Sequence, residues 1–364
     1  MKIRTLMTGL VALSSLWLIG CGKPQEASTS STGDAPRGNV QAASEPLTIG
    51  IVFDRGGRGD KSFNDSAWTG LERAKKDLGV QDKAVESKEV KDYELNLTAL
   101  AEQKCDLVIA VGVGMSDAVT KVAKEFPDVK FAIVDSTVEL PNVRSLLFKE
   151  EEGSFLAGYL AGLMTKSKKL GFIGGKELDL IKKFEAGFIA GAKTVDPTIT
   201  VDVKYTGSWD NTDIAKAIAT SLYNGGADII YHAAGRAGLG LFAAAKEQGK
   251  FAIGVDSDQD YLEQGVILTS MIKRVDEAVY QTVKDLQEGK WDATAKTYDL
   301  AAGGVGLSPM TYTKDKIGAD NIKKIDAQIE RIKNRELTVP ANASALENYL
   351  KSLAAIPPPS PGSQ

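Results

Sequence analysis

From residue 47 the chain alternates short apolar runs with amphipathic stretches, and it does so twice. LTIGIVF (47–53) is followed by SAWTGLERAKKDLG (66–79), DLVIAVGV (106–113) by MSDAVTKVAKEF (115–126), and then comes KFAIVDS (130–136). A second round runs through KLGFIGG (169–175), FEAGFIAGAKTV (184–195), TVDVKYTG (200–207), NTDIAKAIATSLYNGG (211–226), DIIYHAAG (228–235), LGLFAAAKEQ (239–248) and FAIGVDS (251–257). Near-continuous apolar runs of five to eight residues separated by amphipathic helices are what parallel strands buried on both faces require. Two successive doubly wound α/β sheets are therefore expected. RSLLFKEEEGSFLAG (144–158) marks the seam between them, and GVILTSMIKRVDEAVYQTVKDLQEG (265–289) and LAAGGVGLS (300–308) offer two further crossings. Three crossings between two lobes make a hinge about which a cleft can close.

The ends carry other information. Lys2 and Arg4 precede an apolar run from Leu6 to Ile19, and Leu18-Ile19-Gly20-Cys21 resembles the processing site of bacterial lipoproteins. The run is shorter than the ~20 apolar residues of a membrane span. Residues 1–20 are thus expected to be a signal peptide, with Cys21 lipidated at the head of a Ser/Thr/Gly/Pro tether over 21–46. The tether has too few large apolar side chains to order itself. Residues 47–148 plus about 268–298 are assigned to a first lobe, 149–267 plus about 299–340 to a second, and 341–364 to a tail ending in IPPPSPGSQ. The expected location is the cell envelope, lipid-anchored to a bacterial membrane with the folded body outside the cytoplasm.

Composition narrows the chemistry. Besides Cys21 the only cysteine is Cys105, expected to be a small buried residue, and His232 is the single histidine. That removes most Ser-His-Asp and Cys-His arrangements and any histidine-rich metal site. A formal net charge of −4 argues against nucleic acid as a partner. Gly56, Gly57 and Gly59 lack the spacing of a dinucleotide fingerprint, and no phosphate-loop motif exists, so no cofactor is called for. No catalysis is expected: Asp54, Asp135 and Asp256 could supply acid and base to an enzyme, but no nucleophile or metal cluster accompanies them.

Ligands of parallel α/β sheets sit at the carboxyl ends of strands. There the chain places Asp54, Gly112 to Ser116, Asp135, Gly174-Gly175, Gly207 to Trp209, His232 to Gly235, and Asp256. After Asp54 come Ser62 or Asn64 as caps of the following helix, and Phe63, a hydrophobic staple or a ring on which a base can stack. Asp256 reads equally as a helix cap or as an interlobe partner of Lys273. Trp209 and Tyr231 remain alternatives for a second stacking ring, since strand alternation can turn Tyr231 into the core.

DRGGRGDKSFNDSAWTGLERA (54–74), EEGSFLAGYLAGLM (151–164), FEAGFIAGAK (184–193), Ala233-Ala234-Gly235 with Gly238, GVDSDQ (254–259) and LTSMIKRVD (268–276) resemble the basic membrane protein family of bacterial substrate-binding lipoproteins. The resemblance covers roughly residues 47–335. It implies a type I periplasmic-binding-protein fold, two Rossmann-like lobes with a three-strand hinge. It also implies a purine nucleoside in the cleft and, as partners, the permease and ATPase of an ABC importer. Matched motif by motif, it points to Asp54, Phe63, Asn64 and Asp135 from the first lobe. From the second it points to Tyr231, the Gly235 backbone, Asp256 for ribose hydroxyls and Lys273 as a donor, with Trp209 a further stacking candidate. A sugar receptor or a chemosensory module of the same fold is the alternative. One departure stands out: Arg236 occupies a place where family members often have glycine, free to face solvent, pair with Asp256 or enter the cleft.

Overall fold

The computed structural model describes residues 45–355. The expected signal peptide, Cys21, nearly all of the tether and the last nine residues lie outside them. The first sheet holds β1 (Thr48–Phe53), β2 (Gln81–Glu86), β3 (Leu107–Val111), β4 (Lys130–Val134) and β5 (Val143–Phe148). Helices α1 (Phe63–Leu78), α2 (Asp92–Glu102) and α3 (Ser116–Glu125) connect them. The chain then crosses into α4 (Glu150–Met164), β6 (Lys169–Gly174), α5 (Asp179–Val195), β7 (Thr200–Tyr205), α6 (Thr212–Asn224), β8 (Ile229–Ala233), α7 (Leu239–Gln248), β9 (Phe251–Asp256) and β10 (Ile267–Lys273). Next come α8 (Val275–Gln287), β11 (Lys296–Tyr298), β12 (Val305–Leu307), α9 (Lys314–Ile317), α10 (Ala319–Lys333) and α11 (Ala343–Ala354).

The two sheets run β11-β5-β4-β3-β1-β2 and β12-β10-β9-β8-β6-β7, so the second repeats the strand order of the first. All pairings are parallel except β10 with β12. The central β3 and β8 are buried at every residue, while the edge strand β7 alternates exposed and half-buried positions. That is the burial expected of a sheet covered by helices on both faces.

Two boundaries differ from the sequence reading. β10 was expected with the first lobe from about residue 268, but it pairs with β9 and β12 in the second sheet. The chain crosses only after Lys273, into α8, which packs on α1. The expected tail from 341 begins instead with α11, because Asn342 caps it by accepting from Ala345 N at 2.9 Å and Tyr349 OH meets Thr194 Oγ1 of α5 at 2.8 Å.

Glycines let helices touch backbone to backbone. A Cβ on Gly158 of α4 would stand 2.0 Å from Phe188 O of α5, and one on Gly191 of α5 would stand 2.0 Å from Phe155 O of α4. Gly70 of α1 meets Asp276 O of α8 in the same way, at 2.3 Å. Glycine weakens a helix by roughly 1 kcal/mol relative to alanine, so its use here reflects the close approach. Gly191→Ala should therefore destabilise the body by about 1–3 kcal/mol or more. Gly306→Ala, with nothing within 4 Å of the added methyl, should leave the melting temperature nearly unchanged. Thermal denaturation of the two variants checks the difference.

Candidate functional site

The carboxyl ends of both sheets face each other across a cavity of about 560 Å³, a figure that includes its opening to solvent. The first lobe contributes Asp54, Asp60, Phe63, Asn64 and Asp135, and the second contributes Trp209, Gly235, Asp256 and Lys273. Of the nine ligand-binding candidates matched through the family resemblance, only Tyr231 is absent from the lining. It is fully buried, packed on Phe172 and Phe188, with its hydroxyl 3.1 Å from Ser154 Oγ. The alternation of β8 turns it into the core, which leaves Trp209, whose ring lies directly against Gly175, as the second-lobe aromatic.

Helix α1 is positioned by a residue the sequence reading missed. Asp60, not Ser62 or Asn64, accepts the orphan amides: Ser62 N at 2.9 Å, Asn64 N at 2.8 Å and Asp65 N at 3.1 Å, plus Asn64 Nδ2 at 3.1 Å. Asn64 Oδ1, buried, is left without a protein partner. Ser62 is instead free to cross the cleft, its Oγ donating to Asp256 Oδ2 at 2.5 Å. Asp-x-x-x-Asn at the head of a helix was the available signal. The apolar wall of Leu180, Ile181 and Phe184, from the start of α5, was also missed: Leu180 and Ile181 carried no motif, and Phe184 opens FEAGFIAGAK but was not among the residues assigned to the site.

Asp135 and Asp256 follow the same strand of each sheet, β4 and β9, and both adopt left-handed backbone, φ 69° and 65°. The shared string Lys-Phe-Ala-Ile before each was the sequence trace of this equivalence. Lys273 stands at the end of β10, with Nζ 2.6 Å from Asp135 Oδ2 and 3.1 Å from Glu150 Oε1. It also lies 5.2 Å from the centre of the Phe63 ring. Lys273 is thus committed first to an ion pair across the lobes, and any ligand receives only the donor that remains. Asp256 does not cap a helix, nor is Lys273 its hydrogen-bonding partner.

One lysine faces three buried carboxylates. Burial tends to strip the proton from Lys273, but Asp135, Glu150 and Asp256 together hold it charged. Burial pushes Asp135 up to about 6, against the pull of Lys273, and pushes Asp256 up to about 7, against Lys273 and the Ser62 hydroxyl. Burial thus opposes the charged form of both carboxylates, while Lys273 favours it. Two acceptors, Asn64 Oδ1 and Asp135 Oδ1, have no donor within the protein.

The raised Asp256 has a consequence for stability. Its folded form binds the proton more tightly than the unfolded chain, so its contribution declines as pH rises from about 4 through about 7 and is flat above. Asp256→Asn should raise the melting temperature at pH 8, by roughly 2–4 °C for each kcal/mol relieved, and the gain should vanish near pH 4. Melting curves of the two proteins that run parallel between pH 4 and 8 would refute this assignment.

Comparison with known proteins places these features in a family. The profile described as "ABC transporter substrate-binding protein PnrA-like" matches residues 48–343. The chain is 36% identical to the "CD4+ T-cell-stimulating antigen" of Listeria monocytogenes, over 93% of this chain and 99% of that protein. It is 34% identical to the "ABC transporter nucleoside-binding protein BmpA" of Lactococcus lactis, over 90% and 99%. A crystal structure of an ABC transporter solute-binding protein from Aeropyrum pernix superimposes with a TM-score of 0.76 at 27% identity, covering 85% of this chain and 98% of that one. The expected type I binding-protein architecture is thereby shown. Twin sheets closing on a cavity, and sequence likeness along nearly the whole folded body, lead to one assignment: the chain belongs to the PnrA-like family of ABC transporter substrate-binding proteins.

Proposed function

We propose that this chain is a lipid-anchored receptor that binds a nucleoside, with a purine base as the expected ligand, between its lobes and hands it to an ABC permease and ATPase. The observation that carries the reading is the donor–acceptor balance of the cavity. Phe63 and Trp209 offer rings from opposite lobes, and Asn64 Oδ1 and Asp135 Oδ1, on residues of the same lining, are buried acceptors without partners among the described residues. Buried acceptors favour a ligand rich in N–H and O–H donors, and reject one that leaves them unpaired. A nucleoside supplies such donors from its base edge and ribose, with a flat face for each ring. Stacking contributes ~1–3 kcal/mol per base. Asp54, Asp60, Asp135 and Asp256 outnumber Lys273 and Arg236 around the cavity, which disfavours a phosphorylated ligand.

The "nucleoside-binding" name of the Lactococcus lactis relative supports the same ligand class. Attachment through Cys21 would keep the receptor beside its permease. The cleft would close because the ligand prefers the closed state, the one arrangement in which it touches both lobes.

A thermal-shift panel on residues 45–355, refolded from denaturant to strip bound ligand, tests the reading. Held at 100 times its dissociation constant, a bound nucleoside adds about 2.7 kcal/mol and should raise the transition by several degrees. Free bases and 5′-monophosphates should shift it less. Asp256→Ala should weaken nucleoside binding by at least roughly tenfold, the loss of one charged hydrogen bond. Silence from every purine and pyrimidine nucleoside alongside a shift with a simple sugar would overturn the assignment of the ligand.

A further inference from the structure

Of the three directions open to Arg236 in the sequence, facing solvent, pairing with Asp256 or entering the cleft, the structure takes the last, with the side chain at the rim of the cavity. It leaves the short turn Gly235–Gly238 after β8 and crosses the edge of the cleft, where Nε donates to Gly56 O at 3.1 Å and Nη2 to Arg58 O at 2.7 Å. The first-lobe loop is built to present those carbonyls. Its amides are used internally: Gly57 N donates to Asp54 O, Gly56 N to Asp54 Oδ1 and Gly59 N to Asp65 Oδ1. The loop is also tied to its own lobe, since Arg58 pairs with Glu86 at 2.9 Å and lies 4.7 Å over the Trp68 ring. On the other side, the turn carrying Arg236 is seated on His232: a Cβ on Gly238 would fall 1.9 Å from His232 Nδ1. A pull on the guanidinium therefore acts between two rigid bodies.

We infer that Arg236, at the rim of the cavity, is a positioning residue that weights the receptor toward its closed form through its protein–protein hydrogen bonds. Two further second-lobe side chains grip the same segment, Gln259 Nε2 at Lys61 O and Ser257 Oγ at Ser62 O, each at 3.1 Å. Gln259 is itself held by Val255 N at 2.8 Å and by His232 Nε2 at 3.2 Å. Four main-chain carbonyls of one loop are thus held by three side chains of the opposite lobe. Arg236 takes two of them with one planar fork, whose donors are charged, fixed in geometry and indifferent to the identity of the loop side chains. Because apparent affinity scales with the fraction of molecules in the binding-competent state, the latch acts by the same factor on every ligand. The inference concerns the same cleft as the proposed function but rests on the interlobe geometry, not on the ligand class.

The test measures the distance between spin labels at Leu95→Cys on α2 and Ile214→Cys on α6, both exposed and on opposite lobes, in ligand-stripped protein. The intact arginine should give a short-distance, closed population. Arg236→Ala should reduce that population about tenfold relative to the open one, and Arg236→Lys, which keeps the charge but not the fork, should restore part of it. Melting temperatures within about 2 °C of one another would show that the fold of the lobes is unaffected, since a surface substitution of this kind stays within roughly 0.5 kcal/mol. Distance distributions that superimpose for arginine, lysine and alanine would overturn the inference, whether or not a nucleoside proves to be the ligand.

Discussion

The buried charge of Lys273 is the constraint around which the two lobes are arranged. An ammonium this deep is tolerated only when paired and hydrogen-bonded. Its partners come from two directions: Asp135 from the end of β4 in the first lobe, and Glu150 from the first turn of α4 in the second. Glu150 is also tied to Lys183 of α5 at 3.1 Å, and Glu152 accepts the amide of Leu300 at the third crossing. The acidic run at the head of α4 thus answers both the positive end of its own helix and the lysine that ends β10.

The same cluster couples hinge and site. Asp135, a residue of the cavity lining, gives one oxygen to Lys273, while its other oxygen is buried without a partner among the described residues. Asp256, its structural counterpart in the second lobe, is instead bonded to Ser62 across the cleft. Both aspartates sit in left-handed backbone with carboxyls raised by burial, which is where a binding site stores unfavourable energy that a ligand can relieve.

The loop after β1 meets the second lobe mainly through its carbonyls, whereas the cavity is read by side chains at strand ends. Because main-chain carbonyls do not change with substitution, the grip on that loop can stay constant while cavity residues vary the ligand. Helix pairs joined through Gly158, Gly191 and Gly70 give each lobe the stiffness to move as a body.

Period and composition alone determined that this chain makes two parallel α/β sheets, because strands buried on both faces leave apolar runs that nothing else explains. They also placed Asp54, Asp135, Asp256 and the Phe63-Asn64 pair at strand and helix ends, where ligands gather. Tertiary structure decided what lay beyond local pattern. Whether Tyr231 or Trp209 faces the cavity depended on which side of β8 looks inward. The sheet that owns β10 depended on pairing with β12 across more than thirty intervening residues. Asp60 took the cap of α1 and released Ser62 to bond Asp256, a choice between neighbouring oxygens settled by the far lobe. Arg236 had several open directions in sequence, and only the arrival of the opposite loop's carbonyls fixed one, because a long flexible cation goes where acceptors converge.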